Sequence, residues 1–425
     1  MLHGRRAGGL GRPGGPHPQE GDGERGEERE EEPARHARQG SYAAAVATSA
    51  ATPERLLLGP GPSNPPARVL EAMRRPLLGH LDPSFLALVD EVQERLRRLY
   101  GTRNALTLPL SATGSAGMEA CLANLLERGD DAVVGVAGVF GERMCDVAAR
   151  IGARVTRVEA EPGTPLDPDA MAEAIARVSP AVVAFVHAET STGVLQPAEP
   201  IAAAAREAGA HVVLDCVTSI GGLPLALDAW GVDAAYAATQ KCLSCPPGLA
   251  PVSFGERALA RVRSRATPVQ SWYLDAGLLA AYYGRERVYH HTAPISAIYA
   301  LAEGLRVVEE EGMEARAARH REAARVLVER LAPLGFEPLV AEAARLPMLT
   351  ALRLPPGLEG AGEAALRRRL LERHGIEVGG GLGKLAGRIW RVGLMGENAR
   401  VACAERLAAA LAEELAAPGP GALRA

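Results

Sequence analysis

AVVAFVHAETSTGVLQPAEPIAAAAREAGAHVVLDCVTS, residues 181–219, is the stretch that decides the fold. Residues 181–190 open on an apolar run with three Val and one Phe and read as a strand. PIAAAAREAGA (200–210) reads as a helix and HVVLDCVTS (211–219) as the next strand. The same alternation continues upstream. ALTLPL (105–110), DAVVGVAG (131–138) and RVTRVEA (154–160) read as strands. MEACLANLLERG (118–129), ERMCDVAARIG (142–152) and DPDAMAEAIARV (167–178) read as the helices between them. Downstream, AAYAATQKCL (234–243) is a further short strand. Strands alternating with crossover helices predict an α/β domain with a mostly parallel sheet covered on both faces, three layers in all.

From about residue 300 the texture changes. Long helical stretches (299–312 and 314–335) precede strand-like PMLTALRLP (347–355), a helix and strand over 365–381, GRIWRVGLMG (387–396) and a last helix, 401–416. This predicts a smaller α+β C-terminal domain. The expected division is a disordered tail over 1–52, a large domain over 53–305, a small domain over 306–417 and a tail over 418–425. The first tail is glycine-rich and then dense in charge, and its GGLGRPGGPHPQEGDGERGEEREEEPARHARQG contains no Ile, Val, Phe, Tyr or Trp. It has neither an apolar signal core nor the acid-poor composition of a mitochondrial presequence.

Composition narrows the function. The 425 residues carry 47 basic and 51 acidic side chains, a net charge of -4, without the basic excess of a nucleic-acid binder. No apolar run is long enough for a membrane span. Six cysteines are too sparse for a disulfide scaffold and point to a reducing compartment, so the expected location is cytoplasmic. Only two of the basic residues are lysines, Lys241 and Lys384. Lysine forms imines and arginine does not, so each of the two carries a chemical question.

In open α/β sheets ligands bind beyond the carboxyl ends of the strands. Here those ends carry SATGSAG, AGVFGE, HAETSTG, DCVTS and TQK. SATGSAG (111–117) is either an ordinary strand-to-helix turn or a phosphate seat at a helix start; it matches neither the P-loop nor the dinucleotide fingerprint. Asp215 ends a strand, where a carboxylate either solvates a loop or holds a protonated ring nitrogen. Lys241 follows at the end of the next strand-like segment but one. A phosphate seat, a ring-nitrogen carboxylate and an imine-forming lysine are together what pyridoxal phosphate requires. Lys384, in GGGLGKLAG, reads as a solvated loop. Arg391 alternates with apolar neighbours, either as a surface strand residue or as a cleft-facing fork for a carboxylate. Cys242 and Cys245 form a CxxC pair with no second pair or spaced histidines, so no metal site is expected. His290 and His291 suit a structural or interface role, and His187 is either near the ring or a buried core histidine.

The strings LLLGPGPSNPP, TRNALTLPLSATGSAGMEA, ETSTGVLQP, DCVTSIGGLPL, ATQKCLSCPPG, RVYHHTAP and WRVGLMG resemble the class V, fold-type I pyridoxal-phosphate aminotransferases, in particular the alanine–glyoxylate and serine–pyruvate group. The resemblance runs from about Arg55 to about Ala412. It implies that Lys241 forms the Schiff base and moves the proton, and that Asp215 partners the pyridine nitrogen. Thr113, Gly114 and Ser115 match the phosphate turn, with Ser115 where the family often has histidine. Phe140 matches the aromatic that stacks on the ring, Thr190 a hydroxyl near the ring oxygen, and Gln240 a phosphate contact. Tyr289 and Thr292 match residues that reach the neighbouring subunit's phosphate, so the resemblance implies a homodimer with shared active sites. Arg391 matches the substrate-carboxylate arginine. The implied reaction is ping-pong transfer from alanine or serine to glyoxylate or pyruvate. The alternatives are a 2-aminoethylphosphonate–pyruvate aminotransferase, a cysteine desulfurase-like lyase, or a scaffold that does not turn over. No second cation for a dicarboxylate is identifiable in the sequence.

Overall fold

The structure is a computed structural model that describes residues 52–416; the expected N-terminal tail and the last residues lie outside them. Contacts divide the chain at Pro53, and from Glu54 on it is one compact unit.

Seven strands form the main sheet, in the order Leu106–Leu110, Ala250–Phe254, Ala234–Tyr236, His211–Asp215, Val182–Val186, Asp131–Val136, Arg154–Glu159. Neighbours are parallel except for Ala250–Phe254, which is antiparallel to both strands beside it. The helices Gly114–Leu125 and Val139–Ile151 pack together, as do Pro168–Val178 and Ala198–Glu207, which places a helical layer on each side of the sheet. Burial on both faces is why the strand Val182–Val186 is apolar at every position and wholly buried. The helix starts are set locally. Asp167 caps Pro168–Val178 by accepting from the Asp169 amide, with Pro168 in the first turn.

The second sheet has five strands, in the order Leu56–Leu58, Ile376–Gly380, Ile389–Gly393, Leu349–Arg353, Glu337–Pro338. The helices Met313–Leu331, Ala361–His374 and Val401–Ala416 pack with one another or with these strands around a separate core that contains Leu58, Ile376 and Trp390. The α+β character expected of the C-terminal region is therefore present, but its edge strand comes from the other end of the chain. Leu56–Leu58 pairs in parallel with Ile376–Val378. The segment beginning at 53, expected with the large domain, thus belongs in part to the small sheet. At the other expected boundary the helix Ile295–Glu311 runs unbroken through position 305.

All six cysteines are free thiols. Among the described residues, no helix is long and apolar enough to cross a membrane.

Candidate active site

The carboxyl ends of the parallel strands open into a cavity of about 190 Å³. Eight of the expected site residues line it: Thr113, Gly114, Ser115, Phe140, Thr190, Asp215, Gln240 and Lys241. They lie at or beyond the carboxyl ends of five strands of one sheet, Leu106–Leu110, Asp131–Val136, Val182–Val186, His211–Asp215 and Ala234–Tyr236, and that shared sheet brings them together.

At one side is the start of the helix Gly114–Leu125. First-turn amides have no partner within a helix and carry its positive dipole end, which favours an anion. Gly114 packs closely here: a Cβ would lie 3.0 Å from the Ala238 Cβ and 3.4 Å from Val217, so a larger residue would push these loops apart. Gln240, beside the lysine, has a buried side-chain oxygen position with no hydrogen-bond partner among the described residues.

Asp215 closes the strand His211–Asp215 and is buried. Its Oδ1 accepts from the Val217 amide at 2.7 Å and its Oδ2 from the Tyr236 hydroxyl at 2.7 Å. Burial pushes its carboxyl up to about 7, against the pull of those two donors. Lys241 does not end a strand as expected. The strand stops at Tyr236, and Lys241 sits in the turn that follows. Its Nζ hydrogen-bonds to the Pro60 carbonyl, under the turn 59–62. Gly61, at φ +108°, passes so close that a Cβ would meet Nζ at 2.6 Å. Burial draws the amine down to about 8, with Arg391 nearby adding to the effect. An amine so placed is available in its neutral, nucleophilic form near neutral pH.

Arg391 is buried on the strand Ile389–Gly393, where Nε donates to the Gly380 carbonyl at 2.7 Å and Nη1 to the Thr190 carbonyl at 3.4 Å. It does not itself line the cavity, but it is tied to Thr190, which does. Tyr289 and Thr292 do not line it either. Tyr289 is 59% exposed, and its hydroxyl lies 3.5 Å from that of Thr292. His291 instead reaches the start of the turn before the helix Gly114–Leu125, with Nε2 2.7 Å from Ser111 Oγ, and His290 stacks on Trp272 at 4.3 Å. His187 follows Val186, a cavity residue, so strand alternation sends it away from the cavity. It is buried edge-on to Trp230 at 5.3 Å. Cys242 and Cys245 are buried thiols pushed up to about 12 by burial, and no third metal-ligating side chain groups with them among the described residues. Lys384 is exposed and lines a second cavity with Glu142, Glu159 and Glu161.

Three contributors were not singled out from the sequence. In the sequence Tyr236 is one more apolar-flanked strand residue. Arg143 lies one helical turn after Phe140, lines the cavity, and sits over the Phe140 ring at 5.1 Å. Glu189 is fully buried and occupies the start of the helix Val139–Ile151. It accepts from the Phe140 amide at 3.3 Å, the Ser191 amide at 2.9 Å and the Ser191 hydroxyl at 2.6 Å. Gly138 makes room for it, since a Cβ there would meet the Glu189 carboxyl carbon at 2.6 Å. This carboxylate therefore fixes the loop that presents Phe140 and the loop that presents Thr190. The acidic residue of ETSTG was visible in the sequence; its partner some fifty residues upstream was not.

A three-layer α/β domain with a buried amine, a buried carboxylate and a helix start around one small cavity defines a transferase of the fold-type I class. Comparison with known proteins agrees. Residues 55–385 match the family described as Aminotransferase class-V, and the chain belongs to that family. It is 40% identical to the alanine–glyoxylate aminotransferase of Callithrix jacchus over 367 residues, which cover 85% of this chain and 88% of the relative. It is 38% identical to the (S)-ureidoglycine–glyoxylate transaminase of Bacillus subtilis, covering 82% of this chain and 88% of that one. Among solved structures, alanine–glyoxylate aminotransferase from Nostoc sp. superposes with a TM-score of 0.84 at 48% identity, covering 87% of this chain and 97% of the other. The chain is an aminotransferase.

Proposed function

We propose that this enzyme uses pyridoxal phosphate to move an amino group from alanine or serine to glyoxylate or pyruvate, with two half-reactions in a ping-pong cycle. The observation that carries the reading is the cavity itself: a neutralisable amine at Lys241, a buried carboxylate at Asp215 and an anion-seating helix start at Gly114 face one volume of about 190 Å³. The donor set fits the coenzyme. Thr113, Gly114, Ser115 and Gln240 suit its phosphate, Asp215 its ring nitrogen, Lys241 its aldehyde and Phe140 its ring face, with Thr190 beside it. When bound, the coenzyme supplies an electron sink for the pair left behind when a Cα–H bond breaks. Lys241, once its amine is free, is the base that takes and returns that proton, and its tether under Pro60 holds it within reach.

Arg391 is the group we assign to the substrate carboxylate. Its two hydrogen-bond partners here are backbone carbonyls, which orient the guanidinium and leave its charge for an acid. Replacing it with glutamine removes a charge-assisted hydrogen bond. That should raise the KM for amino-acid donors by roughly 30-fold or more while coenzyme binding stays close to normal, measured by steady-state kinetics and by coenzyme titration. An unchanged KM would remove Arg391 from this role.

The donor is tested by single half-reactions, each followed as conversion of the coenzyme to its amine form. The panel is alanine, serine, glycine, ureidoglycine, 2-aminoethylphosphonate and aspartate. Fast conversion by alanine or serine supports the proposal. Preference for ureidoglycine or 2-aminoethylphosphonate would replace it with the corresponding aminotransferase. Aspartate is included because Arg143 provides a second cation at the cavity, which the sequence alone did not reveal.

We further propose a homodimer that shares its sites. Tyr289 and Thr292 do not line the cavity of their own chain, and Val288 (53%), next to Tyr289, and Trp272 (62%), stacked on His290, are exposed apolar side chains in the same region. Mixing Lys241→Ala protein with Tyr289→Ala protein, after subunit exchange, tests this. If Tyr289 serves the partner's cavity, one site of each mixed dimer holds both native residues and activity rises above that of either parent. If Tyr289 serves its own cavity, no site regains both and activity does not rise. The free thiols fit a cytoplasmic location.

A further inference from the structure

Asp215 does not face the cavity alone. Tyr236 stands directly opposite it in the register of the adjacent parallel strand, and its hydroxyl donates to Asp215 Oδ2 at 2.7 Å. The ring is fully buried. Gly117 of the helix Gly114–Leu125 lies against it, so that a Cβ at 117 would come within 3.0 Å of the Tyr236 Cβ. With the Val217 amide on Oδ1, both carboxylate oxygens have a donor from the protein. The ionisable groups that act on Asp215 from neighbouring elements include Glu189, which disfavours its charge, and Lys241, which favours it; Cys121, Cys216 and the Tyr100 phenol are buried groups that feel its charge.

We infer that Tyr236 is a positioning residue: by donating to Asp215 it keeps that carboxylate ionised and aimed into the cavity, so that a ring nitrogen bonded there, rather than Asp215, holds the proton the two share. The inference rests on the pyridoxal-phosphate reading of the cavity. The physical basis is a competition. A buried carboxyl favours its neutral form, and each donor to the carboxylate offsets that preference. Of two bases sharing a proton, the stronger holds it. Removing the phenol makes Asp215 the stronger base, and the proton moves from nitrogen to oxygen. Nothing else is gained or lost in that shift. A ring without its proton is a poorer electron sink, so Tyr236 acts on the chemistry through Asp215 without touching the substrate.

The test is Tyr236→Phe, which deletes one hydroxyl and keeps the ring that fills the core. Each protein is loaded with coenzyme labelled with nitrogen-15 in the ring, and the ring-nitrogen chemical shift is recorded at one neutral pH. The native enzyme should show the protonated value and the variant a displacement toward the unprotonated one. The kcat should fall roughly 10-fold or more, with donor KM changed less than about twofold. An identical nitrogen shift in the two proteins would overturn the inference. A native enzyme that binds no coenzyme would instead overturn the reading beneath it. Infrared spectra of the two apoproteins make the test independent of loading. The protonated-carboxyl band that Asp215→Asn removes should be stronger in Tyr236→Phe than in the native chain, and equal bands would also count against the role.

Discussion

Lys241→Arg is expected to lower turnover by at least about 10⁴-fold, and borohydride should no longer fix coenzyme to the chain. The substitution keeps a positive charge and a long side chain, so the loss isolates chemistry from electrostatics. A guanidinium stays protonated at any working pH and can neither add to an aldehyde nor accept the Cα proton. The native amine differs because burial draws it down to about 8, so an appreciable fraction is neutral near physiological pH. The measurement is steady-state turnover alongside peptide mapping after reduction. Label found on Lys384, or turnover within about a hundredfold of native, would show that the wrong lysine has been assigned.

Asp215→Asn is the second large effect. The amide has nearly the same shape: its oxygen can still accept from the Val217 amide, and its NH2, in the place of Oδ2, can donate to the Tyr236 hydroxyl oxygen, so the fold should be kept. What is lost is the negative charge in a site that excludes water, where a preorganised charge is worth most. Turnover per bound coenzyme should fall by about 10²- to 10³-fold, and the coenzyme should bind more weakly. Turnover normalised to coenzyme content is the decisive quantity. A drop smaller than about threefold would mean that the ring nitrogen needs no anion here.

Much of this site was legible before the structure, for a physical reason. Loops at the carboxyl ends of parallel strands converge, so locating the strands located the loops. Asp215, Gly114 and Gln240 with Lys241 could be gathered at one end of the sheet with no distance known. The chemistry of the side chains then narrowed the choice, since one of only two lysines stood in such a loop. Direction and long-range pairing were not legible. The strand Ala250–Phe254 is absent from the sequence reading altogether, and its antiparallel direction in an otherwise parallel sheet is equally hidden, since apolar periodicity carries no sign of strand direction. Leu56–Leu58 joins the C-terminal sheet because its partner is there, and nothing local to three leucines names that partner.

The residues missed inside the site share another property. Tyr236 and Glu189 are wholly buried, and in a sequence a buried polar residue on a strand looks like any other core position. Their roles come from a partner, Asp215 in one case and the Phe140 amide in the other. Arg143 was within reach, since it follows Phe140 at helical spacing. Whether its charge reached the cavity depended on how the helix start was turned.

The paired edge strand has a consequence for how the enzyme is made. Asn398 donates to the Leu57 carbonyl across a separation of 341 residues, beside the strand Leu56–Leu58. During synthesis that early piece must wait, unmatched, while nearly the whole polypeptide is threaded out behind it. The roof over Lys241, built from the next few residues, is therefore among the last parts to be finished, and an N-terminal deletion through Pro62 should remove it even though the lysine lies far downstream.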